Sequence, residues 1–377
     1  MPSLPVLIAG GGIAGLAGAL GLARIGREAC ILEQAAAFET VGAGLQIGPN
    51  AVKALHYLGA WERVTPASFS PPAISIRDGH SGRLLLRIPL GSAFERRFGA
   101  PYRVIHRADL LAGLVAAAEA QSAIALMTAA PVKAFADRDD HLEVETNRST
   151  LQGEALLGAD GIRSAIRAGL LADGPPVRHT ENLYRALTPL DVSAADPLTH
   201  VTLWLCRGGH VVHYPVRGGK AWPGDGWSVP GTSDELLALF PDTHRELREI
   251  LALPQAWQKW AAASRAAART WTQGRVALIG DAAHATLPYL AQGAAMALEV
   301  LARKIETSDT LADAFRAYQT LRMPRTRRIV GESLRLGSIY HARGPVRLAR
   351  NVVLRMTRPE DFLTRLAWIY DFDPAAV

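Results

Sequence analysis

The chain has 377 residues, 49% of them hydrophobic and 20% charged, and a formal net charge of +6. That is an ordinary globular balance, which excludes a disordered chain, and the length allows two domains or one large composite domain around a sizeable core. The two cysteines, Cys30 and Cys206, are too few for a disulfide framework or, by themselves, a zinc site, and no metal is expected. Met1 to Pro5 lack the pattern of a signal peptide, and no apolar stretch reaches about 18 residues, so a cytoplasmic protein without a membrane span is expected. From Leu301 onward there are 14 Lys and Arg against 8 Asp and Glu, which accounts for the whole net charge. No nucleic-acid-binding motif accompanies these arginines, so they read as a solvated helical face and no nucleic acid is expected.

In chain order, Leu4 to Ala9 reads as a buried strand. Gly10 to Gly15 breaks it, a small-residue helix follows to about Gly26, and Glu28 to Glu33 is a second strand. Strand, glycine turn, helix and strand open a doubly wound parallel sheet. A helix starts at Pro49 and Asn50 and ends at Gly59, and another covers Arg107 to Ala120. Leu142 to Thr146, Ala155 to Gly158 and Val276 to Ile279 read as strands. His200 to Leu205 and His210 to Val216 alternate as in an antiparallel sheet. Helices are expected near Ser233 to Phe240 and Thr243 to Leu253, and the chain is mostly helical after Gly293.

The turn Gly10-Gly11-Gly12-Ile13-Ala14-Gly15 matches GxGxxG. Its first glycine permits the tight turn, its second lets the backbone approach a pyrophosphate, and its third lets the helix pack close to the strand. The N–H groups of Ile13 and Ala14 then face the phosphates. Glu33, 23 residues after Gly10 and followed by Gln34, stands where a carboxylate accepts hydrogen bonds from an adenosine ribose. This much fits NAD as well as FAD.

Two later motifs each place an Asp beside a glycine at a strand end: Gly158-Ala159-Asp160-Gly161 and Ile279-Gly280-Asp281-Ala282. In this order the three motifs resemble those of the single-component FAD-dependent aromatic hydroxylases of the para-hydroxybenzoate hydroxylase type, over essentially the whole chain. Residues 42–50, His106 to Leu110 and Pro288 to Gly293 also match. His210 to Val216 and Tyr340 to Pro345 point to the salicylate hydroxylase and 3-hydroxybenzoate 6-hydroxylase group. The resemblance implies a discontinuous FAD-binding domain (1–70, 101–175 and 265–340), a smaller antiparallel-sheet substrate domain (71–100 and 176–264) and a helical C-terminal segment (341–377).

It also implies that Asp281 holds a ribityl hydroxyl of FAD, that Arg107 and Asp160 contact the cofactor, and that Gly293 and Ala294 offer N–H groups to the flavin's pyrimidine edge. NADH or NADPH visits transiently as reductant, and O2 reacts through a flavin C4a-hydroperoxide to hydroxylate a small aromatic substrate. His213 is the candidate base for a phenolic hydroxyl, with Gln292 holding the same hydroxyl. Val211, His213 and Pro215 are expected to share one strand face and Tyr214 to occupy the other. Gln46, Tyr214 and Pro288 are candidate substrate neighbours, Arg185 is a candidate carboxylate anchor, and Arg163, Arg167 and His284 read as structural. An oligomer is compatible with all of this. The sequence departs from the family where residues 221–227 replace an apolar return strand, and where Val300 follows Glu299 in place of a second acid. A hydroxylase of another phenol or a hydroxypyridine, and a flavin-binding homologue with impaired turnover, are the alternatives.

Overall fold

A computed structural model describes residues 4–38, 43–189, 197–216, 228–299 and 308–376. The two departures at 221–227 and 300 lie outside the described residues.

The central sheet has six strands in the spatial order Thr272–Gln273, Val276–Leu278, Ala155–Gly158, Val6–Ala9, Ala29–Leu32, Ile124–Met127. All its pairings are parallel except the first. Val6–Ala9, Ala29–Leu32 and Ala155–Gly158 are buried along their whole length, which is why they read as unbroken apolar runs rather than alternating ones. The chain leaves Val6–Ala9 toward Ala29–Leu32 on one side and only later returns to Ala155–Gly158 on the other. That reversal puts a crevice at the carboxyl ends of the two strands, between Gly10 and Asp160, where open α/β sheets bind ligands. Helix Ile13–Arg24 packs against the helices Arg107–Glu119 and Gly293–Leu298. Small residues at Ala14, Gly15, Ala17, Gly18 and Gly21 allow this close approach.

A second sheet runs Gly209–His213, Val201–Cys206, Ala73–Asp78, Leu84–Pro89, with only the middle pair parallel. One of its faces forms a core with Tyr102, Val104, Phe94, Phe98 and the C-terminal residues Leu363, Ile369 and Tyr370. The other carries Trp204 and Cys206 against Leu247 and Leu251. Val177–Arg185, Trp257–Ser264 and Ser228–Gly231 make a third, antiparallel sheet. Gly44–Ile47 pairs with Arg103–His106 and links the two halves of the molecule.

Most elements expected from the sequence form within a few residues of their anticipated ends. Trp257–Ser264 is a strand although Ala261, Ala262 and Ala263 favour helix, because pairing on both sides overrides propensity. The C-terminal region holds a 30-residue helix, Leu311–Tyr340, with Pro324 inside it, followed by Gly344–Met356 and Pro359–Tyr370. Among the described residues no helix is long and apolar enough to cross a membrane, and no three His, Cys, Asp or Glu side chains group as metal ligands.

Candidate active site

The glycine turn is built as its spacing requires, and each glycine has its own reason. Gly10 sits at φ +104°, and a Cβ there would come within 2.6 Å of the Ala159 carbonyl oxygen. A Cβ on Gly15 would collide with the Gly10 carbonyl. Gly12 differs, because its φ of −75° suits any residue and a Cβ would meet no protein atom within 4 Å. Neither backbone strain nor packing against the protein therefore calls for glycine at 12; close approach of a ligand does.

Glu33 is tied back to this turn. One carboxylate oxygen accepts the Gly11 N–H at 2.7 Å and the other accepts the Ala35 N–H at 2.8 Å. Each oxygen keeps a further lone pair for a ribose. Gln34 is exposed beside it. Across the crevice, one Asp160 oxygen accepts the Ile166 N–H at 3.1 Å, while Oδ1 is buried with no hydrogen-bond partner among the described residues. Arg167 is structural: it grips Asp173 and donates to the Ala282 carbonyl at 3.0 Å, clamping the second motif to the third.

The third motif closes on the first. Gly280 is at φ +60°, and a Cβ added to it would lie only 2.5 Å from the Ala14 side chain, so Asp281 stands next to the glycine-turn helix. Asp281 is exposed, although the surrounding protein crowds it closely enough to desolvate its carboxyl. Burial there raises its carboxyl pKa, and the nearby Arg107 guanidinium partly offsets this. Arg107 opens helix Arg107–Glu119, and its backbone N–H donates to the Ala43 carbonyl. His284 is buried against Trp271, and burial pushes its pKa down to about 3.

Gln292 precedes the short helix Gly293–Leu298, which packs between Ile13–Arg24 and Pro49–Tyr57. A Cβ on Gly293 would meet only the Thr286 methyl, at 3.9 Å. The Gln292 side-chain oxygen accepts from Asn50 Nδ2 at 2.9 Å, and the same Asn50 nitrogen donates to Glu299 at 2.7 Å. Glu299 is fully buried between Arg322 and Arg325, the latter at 2.8 Å. The two guanidiniums outweigh burial and hold its pKa below the usual carboxylate value. This network fixes Gln292 so that its amide NH2, not its oxygen, is left to meet a ligand. Asn50, Arg322 and Arg325 are not foreseen from sequence; the unbalanced Glu299 in an apolar helix is the available signal.

The Tyr214 ring packs against Gly44, and the Gln46 side-chain oxygen accepts from the Tyr102 hydroxyl at 2.6 Å. Burial raises the Tyr214 pKa to about 12. Arg185 stacks over Trp260, and burial lowers its pKa, Tyr214 supporting its charge and Arg107 opposing it. Pro288 is exposed at the start of the turn Pro288–Leu290.

Alternation along the strand holds, and it places His213 and Tyr214 on opposite faces of the sheet. His213 pairs with Thr202 and sits near His200, Arg77 and Trp204, in a small cavity behind the sheet. Its Nε2 is buried with no hydrogen-bond partner among the described residues, and burial together with Arg77 and His200 lowers its pKa to about 4. Tyr214 and Val212 instead join the core around Tyr102. His210, four residues before Tyr214, lies on that face. Its ring meets that of His341 edge to edge, with 30° between the planes and centroids 5.3 Å apart, and lies 5.5 Å from both Tyr289 and Tyr340. His210 Nδ1 is 3.0 Å from His341 Nε2. Sequence alternation offers two faces and cannot choose between them; the four-residue spacing of His210 and Tyr214 is the signal.

Residues 3–302 match a protein family described as an FAD binding domain. The packing-free Gly12, the unpartnered Asp160 oxygen and the Glu33 and Asp281 carboxylates at either side fit that group. The chain is similar to a 3-hydroxybenzoate 6-hydroxylase of Polaromonas naphthalenivorans (strain CJ2), at 36% identity over 98% of this chain and 96% of that protein. A 3-hydroxybenzoate 6-hydroxylase of Klebsiella oxytoca is likewise 36% identical, over 97% of this chain and 96% of that one. Among solved structures, a salicylate hydroxylase substrate complex superposes with a TM-score of 0.82 at 26% identity, covering 99% of this chain and 97% of that one.

Proposed function

The chain belongs to the FAD-dependent aromatic hydroxylases, and from that premise we propose that it inserts one oxygen atom of O2 into the ring of a small hydroxybenzoate-type acid, in the cytoplasm, with NADH or NADPH as transient reductant. The observation that carries this reading is that the cofactor motifs adjoin an aromatic group: Arg107 acts on Asp281 and on Arg185, Arg185 acts on Tyr214, and Tyr214 packs on Gly44 close to the bonded pair Tyr102 and Gln46.

FAD, held by the glycine turn, Glu33, Arg107, Asp160, Asp281 and the Gly293–Ala294 N–H groups, supplies the redox chemistry when bound. The chain's own residues prepare the ring. A phenol is activated toward electrophilic attack as its hydroxyl proton leaves, and this needs an acceptor in a dry site. His210 takes that role in place of His213. Burial and the neighbouring His341 lower its pKa to about 4, so its imidazole is neutral near pH 7 and free to accept a hydrogen bond from the hydroxyl. The Gln292 NH2, aimed by Asn50, donates to the oxygen that becomes anionic. Arg185 and Arg107 give this end of the cleft the positive charge that suits a carboxylate.

The test is NADH and NADPH oxidation measured together with O2 uptake over a panel of hydroxybenzoates, with peroxide followed in parallel. At least one ring acid should stimulate NAD(P)H use and give hydroxylated product at low peroxide. A flavin-loaded protein that oxidises NAD(P)H at the same slow rate with every ring would overturn the proposal.

A further inference from the structure

A buried imidazole with a pKa of about 4 does not keep a proton at neutral pH. If His210 takes one from substrate on each turnover, the proton must leave by another group. The described residues offer one partner on the far side of the ring: His341 Nε2, 3.0 Å from His210 Nδ1. That leaves His210 Nε2 to the cleft. His341 caps the C-terminus of helix Leu311–Tyr340 and is half-buried, so it stands between the buried ring and solvent.

We infer that His341 is a positioning and proton-relay residue, which fixes the tautomer of His210 and carries the substrate's hydroxyl proton to solvent beside Glu181. This rests on the reading of His210 as the base. In the step, the substrate O–H bond breaks as an N–H bond forms at His210 Nε2. The proton on His210 Nδ1 passes to His341 Nε2, and the proton on His341 Nδ1 passes to water. One proton enters and one leaves; no electrons move, and the reverse transfers, as the ring oxygen regains a proton after hydroxylation, reset both tautomers.

The surroundings of His341 suit this passage. Burial lowers its pKa, Glu181 on the exposed part of strand Val177–Arg185 raises it, and Arg343 lowers it. His210 faces it from the sheet, Tyr289 meets it edge-on at 5.5 Å from the turn Pro288–Leu290, and Tyr340 precedes it on its own helix. Tyr289 is itself locked: a Cβ on Gly337 would lie 2.7 Å from its ring. The rings around the pair are therefore fixed, which preserves a short donor–acceptor distance for transfer.

The test uses the flavin-loaded enzyme with 3-hydroxybenzoate as probe and phenol red as indicator in stopped flow, comparing wild type, His341→Gln, His341→Ala and His210→Ala. Flavin spectrum and Tm establish that each variant is folded; His341→Gln keeps a hydrogen-bonding side chain if the alanine variant is too unstable. Proton release and kcat should fall about tenfold or more in His341→Gln at nearly unchanged KM, with an altered pH profile of kcat, and added imidazole should restore His341→Ala. The relay is overturned if His341→Gln releases protons at the wild-type rate with an unchanged pH profile, or if imidazole rescues nothing, while His210→Ala is still strongly impaired. Wild-type hydroxylation by His210→Ala would instead remove the base assignment on which the relay depends.

Discussion

The nucleotide crevice and the substrate-facing sheet are specified in different ways. At the crevice, function rests on backbone: a tight turn at Gly10, contact between Gly15 and the Gly10 carbonyl, and N–H groups aimed at Glu33. Few residue types satisfy such demands, so the motif nearly determines the geometry. In the substrate-facing sheet, function rests on which face of a strand looks inward, and on partners such as His341 that lie 131 residues away in sequence. Each such choice has two outcomes, and only tertiary packing decides between them.

Replacing Gly15 with Ala is the harshest way to strain this contrast. The added methyl collides with the Gly10 carbonyl, so the variant should yield little soluble protein and retain no flavin. A yellow, wild-type-like protein on purification would show that the turn is not built as described. Glu299→Gln comes next. It strips the anion from between two buried arginines, and should destabilise the protein by about 3–5 kcal/mol in urea unfolding. An unchanged midpoint would mean that the network carries little. Gly12→Ala sharpens the comparison most finely. The cofactor-free protein should unfold at the wild-type temperature, while FAD affinity, measured by fluorescence titration, falls on the order of tenfold, about 1.4 kcal/mol. Equal loss of Tm and affinity would make Gly12 a packing residue.

A last effect is on pH, and its smallest readable part is the share of one histidine. His210, His213 and His284 have folded pKa values lowered to about 4, 4 and 3. The unfolded chain therefore binds more protons below about pH 6.5, and stability should fall as pH drops from there toward 4. Each histidine contributes on the order of 1 kcal/mol per pH unit inside that window. His213→Asn, remote from the cleft, should flatten the dependence of Tm between about pH 6.5 and 5; an unaltered slope would place His213 in water.

Legibility follows the same division. The parallel sheet is readable because strands buried on both faces appear as apolar runs, and Asp160 and Asp281 because each follows such a run beside a glycine. Trp257–Ser264 is not readable, since its alanines suit a helix and only its two neighbours make it a strand. Asn50 looks like a helix start, and its bonds to Gln292 and Glu299 span 242 and 249 residues. Alternation shows that His210 and His213 lie on different faces of one strand, not which of them meets substrate.

The catalytic face is tested most directly by the pair His210→Ala and His213→Ala, assayed for hydroxylated product per NADH consumed with 3-hydroxybenzoate. His210→Ala should lose product formation by about 10²–10⁴-fold while retaining flavin, and His213→Ala should stay within a few-fold of wild type. The reverse pattern, with His213→Ala inactive and His210→Ala competent, would contradict the placement of that face.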